Sequence, residues 1–163
     1  MMGVSIFIHG LDSSNKGTKS LFFSELFPDM IIPNFEGTIH ERMKKLRAIL
    51  QGKEGIKLIG SSFGGLMATI FAMENGSRAK TLILLAPALN FLESSGFQLI
   101  EISIPVHIYH GTEDEIIPIK IVKNVAEKYF SNLYFHSVKD NHFLHKSFKT
   151  IDWQTMLKKN ADK

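Results

Sequence analysis

The feature that most constrains the fold is a set of six short apolar runs, each followed by turn residues. The runs span Val4 to Ile8, Met30 to Ile32, Ile56 to Ile59, Thr81 to Leu85, Val106 to Tyr109 and Leu133 to Val138. Several are apolar almost without interruption, which is typical of strands buried on both faces of a parallel sheet. The runs therefore predict a mostly parallel, six-stranded sheet.

Segments with helical periodicity separate these runs. They cover Thr18 to Phe27, Thr38 to Leu50, Phe63 to Glu74, Phe91 to Ile100, Ile119 to Phe130 and Phe143 to Leu157. Strand and helix alternate throughout, so the pattern predicts an α/β, doubly wound sheet flanked by helices. No Pro/Gly/Ser-rich linker divides the 163 residues, and we expect a single domain over residues 1–163.

Composition indicates the cellular compartment of the protein. The sequence has no cysteine, which excludes disulfides, thiolate chemistry and cysteine-based zinc sites and suits a reducing compartment. The apolar run that ends at Ile8 is too short for a signal peptide, and no stretch approaches the roughly 18 apolar residues of a membrane span. We therefore expect a cytoplasmic protein that does not enter a membrane.

The formal net charge is +3, and part of it is clustered. Lys44, Lys45 and Arg47 fall on one predicted helix, and Lys158, Lys159 and Lys163 lie at the C-terminus. Such clusters fit either a solvated helix face or a patch for an anionic partner. The phenylalanines lie in apolar runs and do not interleave with the basic residues, so nucleic acid is not indicated.

Gly60, Ser62 and Gly64 form a Gly-x-Ser-x-Gly pattern between a predicted strand and a predicted helix. In this context the pattern predicts a nucleophile elbow, a sharp turn that places a serine hydroxyl in the open. The residues two before and two after the serine must lack bulk, and both are glycine. The pentapeptide alone is a weak signal, and the alternative is a turn serine that caps the next helix.

Other polar residues also directly follow apolar runs. His9 and Gly10 follow the first run, Asp114 the fifth and His142 the last. In an open parallel sheet, ligands bind at the carboxyl ends of the strands, near the point where strand order reverses. A serine, a histidine and a carboxylate brought together there have the composition of a nucleophilic catalytic unit.

The residues alone leave alternatives for the acid and the base. Glu113, Asp114 and Glu115 are consecutive, and His145 is a second candidate for the base. His107 and His110 are three apart on a strand and should point to opposite faces. Asp140, His142 and His145 could also be interpreted as metal ligands, an interpretation disfavoured because zinc usually takes three or four ligands and His142 has another explanation.

Four motifs together make the chain resemble a small, lidless α/β-hydrolase of the cytoplasmic serine-esterase type. They begin at His9-Gly10-Leu11, at Gly60, at His110-Gly111 and at Asp140-Asn141-His142-Phe143. The resemblance implies a minimal α/β-hydrolase fold and a Ser-acid-His order in the chain. It assigns the catalytic roles to Ser62, to Asp114 four residues after His110, and to His142.

The resemblance also implies an oxyanion hole formed by the backbone N–H groups of Leu11 and Phe63. Gly10 would let the first loop approach the substrate carbonyl, and His9 would have a structural role beside it. Ala86 to Ile104 is the place of a lid domain in many relatives, but here it is short and has one predicted helix. An open cleft is therefore expected, bordered by this segment, whose apolar residues are Phe91, Leu92, Phe97 and Leu99.

The expected function is that of a serine hydrolase that cleaves a short- to medium-chain carboxylic ester or thioester through an acyl-enzyme. Its partner would be a small-molecule substrate, and neither a cofactor nor a metal is expected. Two alternatives remain at this stage. One is a catalytically degenerate hydrolase-fold protein that only binds, and the other is different triad chemistry on the same fold.

Overall fold

The computed structural model describes residues 3–158, and its centre is a parallel sheet of five strands. The strands are β1 (Ser5–Ile8), β2 (Ile56–Ser61), β3 (Ala79–Leu85), β4 (Val106–Gly111) and β5 (Leu133–Val138). They lie side by side in chain order, and every neighbouring pair is parallel. The predicted parallel α/β architecture is confirmed.

The sixth predicted strand, Met30 to Ile32, is a correction to the sequence analysis. Ile31 makes a single parallel bridge to Ile6, on the side of β1 away from β2, and no ladder follows. The run is only three residues long, and it is followed at once by Pro33, which has no backbone N–H to donate. After β1 the chain therefore runs first along one edge of this strand, at Ile31, and then forms β2 on the opposite edge. The direction in which the sheet is wound reverses at this point.

Helices cover both faces of the sheet. They are α1 (Thr18–Leu26), α2 (Ile39–Ile49), α3 (Phe63–Glu74), α4 (Ile119–Tyr129) and a short α5 (Trp153–Met156). One core cluster joins α2, α3 and α4 to the sheet, and the other joins α1 and α5 to the opposite face. None of the helices in residues 3–158 is long and apolar enough to cross a membrane.

The helix predicted over Phe91 to Ile100 is wrong. Only a 3₁₀ turn, Leu89–Phe91, forms there, and the chain is then irregular. The Ser95 hydroxyl donates to the Leu92 carbonyl at 2.6 Å, and Gly96 has a φ of 82°. A serine side chain that hydrogen-bonds a nearby backbone carbonyl competes with helix formation, and a glycine in the left-handed conformation ends a helix.

The long C-terminal helix predicted over Phe143 to Leu157 is also wrong. The segment forms a 3₁₀ turn, Phe148–Thr150, and then α5. Leu144 has a φ of 55°, which breaks a helix near its predicted start. The Asp140 carboxylate accepts hydrogen bonds from the backbone N–H groups of the following loop, which replaces a helical start with a closed loop.

Candidate active site

Ser62 lies at the turn between β2 and α3, in a backbone conformation that a serine rarely adopts. Its φ is 54° and its ψ is −115°. The surroundings impose this conformation, because the Ser62 N–H donates to the Leu85 carbonyl at 2.9 Å and its own carbonyl accepts from Gly65 and Ala88. A residue held in a sparsely populated region by several neighbours is a common feature of functional sites.

The two motif glycines lie where no side chain fits. A Cβ at Gly60 would collide with the carbonyl of Gly64. A Cβ at Gly64 would collide with the carbonyl of Ile8 at the end of β1. The turn therefore presses against the neighbouring strand, which brings Ser62 to the carboxyl ends of β1 and β2.

Ser62, His142 and Asp114 form a continuous hydrogen-bonded chain, although they come from three different loops. The Ser62 Oγ lies 3.0 Å from the His142 Nε2. The His142 Nδ1 lies 2.7 Å from the Asp114 Oδ2. Donation from Nδ1–H to a carboxylate leaves Nε2 as the acceptor for the serine hydroxyl.

Asp114 is held in place through its second oxygen. Its Oδ1 accepts from the backbone N–H groups of Ile116 and Ile117 at 2.9 and 2.8 Å, and its side chain is fully buried. The neighbouring Glu113 and Glu115 are exposed to solvent. Of the three consecutive acids, only Asp114 reaches His142.

The alternative residues near His142 make other contacts, although His145 lines the same cleft. His145 is exposed and packs against the ring of Phe143, with a centroid distance of 5.8 Å. Burial opposes ionisation of Asp140, but hydrogen bonds from Asn141, Ser147 and Lys146 outweigh it and lower its pKa. In the part of the chain that the structure describes, no three His, Cys, Asp or Glu side chains are grouped to hold a metal ion.

His9 fixes the first loop. Its Nδ1 donates to the Gly10 carbonyl at 2.7 Å, and its Nε2 accepts from the Phe35 N–H at 2.8 Å. Burial lowers the pKa of His9, and the charge of Arg42 adds to the effect, so the neutral ring is favoured. A Cβ at Gly10 would lie 3.4 Å from the Ser62 Cβ, so this loop is in close contact with the turn.

Leu11 and Phe63, the two predicted oxyanion-hole residues, line the same cleft as Ser62 and His142. Phe63 is the first residue of α3, where a backbone N–H has no partner within the helix. The N-terminal end of a helix also favours negative charge. Both positions therefore lie where the predicted oxyanion hole requires them, on the lining of the cleft that contains Ser62.

Sequence reasoning missed the role of His110. Its side chain is fully buried, and its Nε2 lies 2.8 Å from the Ile117 carbonyl and 3.2 Å from the Asp114 Oδ2. Burial lowers the pKa of His110, which favours the neutral ring. Its Nε2 faces two acceptors, so this nitrogen carries the proton. Asp114 therefore contacts two imidazoles. The signal was the spacing of the His-Gly-x-x-Asp motif, which we used only to locate the acid.

The cleft beside Ser62 has a volume of about 600 Å³ and an apolar rim. Leu11, Phe91, Ile116 and Phe143 all line it, and each is about half exposed. Of the four apolar residues noted in the Ala86 to Ile104 segment, only Phe91 lines the cleft. The other three lie away from it: Leu92 is in the core, Phe97 stacks on His40, and Leu99 packs on the core.

A family model supplies the first comparison with known proteins. The model of an uncharacterised protein family, UPF0227, matches residues 4–140. The chain belongs to UPF0227. No curated protein matches it. All four motif loops lie within or directly beside the matched region, since the match ends two residues before His142.

Solved structures place this UPF0227 chain in the α/β-hydrolase fold. Est1E from Butyrivibrio proteoclasticus, solved with ferulic acid, has a TM-score of 0.77 at 16% identity, covering 98% of this chain and 90% of its own. Alpha/beta hydrolase domain-containing protein 10 from mouse has a TM-score of 0.70 at 18% identity, with 88% and 83% covered. An epoxide hydrolase from Bacillus megaterium has a TM-score of 0.72 at 11% identity, with 97% and 96% covered. All three are below 25% identity to this chain, so the likeness shows the fold alone.

Proposed function

We propose that this UPF0227 protein is a serine hydrolase that cleaves a carboxylic ester or thioester through an acyl-enzyme on Ser62. The observation that carries the proposal is the hydrogen-bonded chain from the Ser62 Oγ through His142 to a buried Asp114, at a strained turn that opens into a cleft. A serine hydroxyl needs such a base, and the base needs a group that fixes its tautomer. A protein that only binds has no chemical need for all three.

Acylation begins when the His142 Nε2 removes the Ser62 proton while the Oγ attacks the substrate carbonyl carbon. The carbonyl oxygen becomes an oxyanion, for which the backbone N–H groups of Leu11 and Phe63 are the proposed donors. Asp114 stabilises the imidazolium through Nδ1–H. The bond to the leaving oxygen or sulfur then breaks, and that atom takes the proton from Nε2.

Deacylation repeats these steps with water. The His142 Nε2 removes a proton from water, which attacks the ester carbonyl on Ser62, and the same proton returns to the Ser62 Oγ as the acid leaves. The three side chains and the two proposed backbone donors supply every group that these steps use. The proposed mechanism therefore requires neither a metal nor a cofactor.

The dimensions of the cleft suggest the acyl group. The cleft is open and its rim is apolar, and the Ala86 to Ile104 segment contributes only its first residues to the lining. Added methylenes increase affinity only where protein covers them, by about 0.8 kcal/mol each. We therefore propose a short- to medium-chain acyl group, a size class that matches an open site better than a long enclosed chain.

Turnover of p-nitrophenyl acetate by Ser62→Ala tests the proposal. Loss of the nucleophile should reduce kcat by about 10⁴ to 10⁶. Ser61→Ala is the matched control, since Ser61 lines the same cleft but has no hydrogen bond to His142. Ser62→Ala activity within tenfold of wild type would overturn the proposed function.

A further inference from the structure

Lys19 is a charged side chain inside the proposed catalytic cleft. It lies in the first turn of α1 and lines the cleft together with Ser62 and His142. Its Nζ donates to the Phe143 carbonyl at 2.5 Å and lies 5.2 Å from the centroid of the Phe148 ring. These contacts hold the ammonium group beside the loop that carries His142.

The ammonium of Lys19 is not paired with a carboxylate of the described residues. In residues 3–158, no Asp or Glu oxygen lies within ion-pair distance of it. Burial lowers the pKa of Lys19 to about 8, and the charge of Asp140 opposes this effect only in part. Asp140 is itself saturated, since its oxygens accept from three backbone N–H groups and the Ser147 hydroxyl.

The remainder of the cleft offers little that would repel an anion. The carboxylate that lines the cleft belongs to Asp12, and its negative charge interacts with the Arg42 guanidinium. The rim around it is apolar. A partly desolvated ammonium that has donors to spare and no carboxylate within ion-pair distance among the described residues gains stability when an anionic group binds to it.

The position of Lys19 indicates which part of the substrate would carry the anion. His142 must deliver its proton to the leaving oxygen or sulfur, so the leaving group lies on the His142 side of Ser62. Lys19 contacts the carbonyl of Phe143, the residue directly after His142. We propose that Lys19 binds a carboxylate or phosphate in the alcohol or thiol portion of the substrate. This inference rests on the proposed function.

A pair of acetyl esters tests the inference with one acyl group throughout. Para-acetoxybenzoate carries a carboxylate on its leaving group, and its methyl ester does not. The readout is the ratio of kcat/KM for the anionic ester to kcat/KM for the neutral ester. We expect Lys19→Met and Lys19→Gln to lower this ratio about tenfold, which corresponds to ~1.4 kcal/mol.

Two controls separate charge recognition from support of the loop. Lys19→Arg should keep most of the ratio because it keeps the positive charge, and Lys44→Met, at an exposed position on α2, should leave it unchanged. Loss of the contact with Phe143 would lower kcat/KM for both esters together, and the ratio would not move.

Each remaining outcome has a defined meaning. An unchanged ratio in Lys19→Met, with turnover that still depends on Ser62, would overturn the role of Lys19 and leave the proposed function standing. No Ser62-dependent turnover of either ester would overturn the proposed function itself. A second pair, p-nitrophenyl hemiglutarate and p-nitrophenyl pentanoate, differs by a carboxylate on the acyl group. If Lys19 affected the preference within this pair only, the anion would bind on the acyl side, against this proposal.

Discussion

The two sides of the cleft are built by different kinds of interaction. On the Ser62 side, backbone packs against backbone, and glycines at 60 and 64 are needed because any side chain would meet a carbonyl. On the His142 side, the loop donates hydrogen bonds to the carboxylates of Asp114 and Asp140 and accepts one from the Lys19 ammonium. The first kind tolerates almost no substitution, whereas the second can be weakened one bond at a time.

The largest effect is expected on the His142 side, at the proposed base itself. His142→Ala should lower kcat by about 10⁴-fold or more without changing the melting temperature greatly. His145→Ala is the matched control and should retain activity within about threefold, because its ring is exposed and bonds neither Ser62 nor Asp114. In the wild type, kcat/KM should fall on acidification, since only neutral imidazole accepts a proton. Loss of activity in His145→Ala but not in His142→Ala would reassign the base.

Gly64→Ala tests whether the Ser62 side is as rigid as its packing indicates. The new methyl group would meet the carbonyl of Ile8, and overpacking against backbone should cost about 3 kcal/mol of unfolding free energy. Chemical denaturation measures this loss. Gly76→Ala, where the nearest atom is 3.8 Å away, should be nearly neutral. Equal stability of the two variants would show that the turn can relax.

His110 supports the His142 side through its contact with Asp114, and its removal should have an intermediate effect. His110→Phe keeps an aromatic ring but removes the Nε2 donor, so kcat should fall about tenfold, a typical size for loss of a hydrogen bond to a charged group. His110→Gln can still donate and should recover part of the activity, with a pH profile closer to that of the wild type. Equal kcat in both variants would show that His110 only fills space.

The smallest effect is expected for Asp140→Asn. Loss of the charge weakens hydrogen bonds to the loop, and the free energy of unfolding at neutral pH should fall by about 1 kcal/mol. Because the folded-state pKa of Asp140 is lowered, its stabilising contribution is complete above its ordinary pKa and is lost as pH falls through the lowered value.

The pH dependence supplies the check on that prediction. Wild type and Asp140→Asn should differ at neutral pH and converge in acid, when unfolding by denaturant is followed from pH 7 downward. Glu127→Gln, at an exposed position on α4, should show no such difference. A constant gap between wild type and Asp140→Asn at all pH values would indicate that packing, and not the charge, holds the loop.

The same contrast explains how much the sequence could predict. The parallel strands could be predicted because strands buried on both faces are apolar without alternation. The turn at Ser62 could be predicted because no other residue fits at its two glycine positions. The helices predicted after Phe91 and Phe143 were wrong, because periodicity does not show that Ser95 bonds Leu92 or that Asp140 captures the N–H groups of its loop.

Residues that act through long-range contacts were the hardest to find. Lys19 lies 124 positions before the Phe143 carbonyl to which it donates, and no local pattern marks that pair. His110 was visible as part of a motif, but its contact with Asp114 depends on the turn that follows β4. Both residues became candidates for a role in the site only when the loops were placed together.

The most direct test of the central claim is the labelling of the intact protein with a fluorophosphonate, followed by peptide mapping. A nucleophilic Ser62 activated by His142 predicts one adduct, on the peptide that contains Ser62. The adduct should be absent from Ser62→Ala and should form far more slowly in His142→Ala. An adduct on Ser61, or labelling of wild type and His142→Ala at the same rate, would contradict the account.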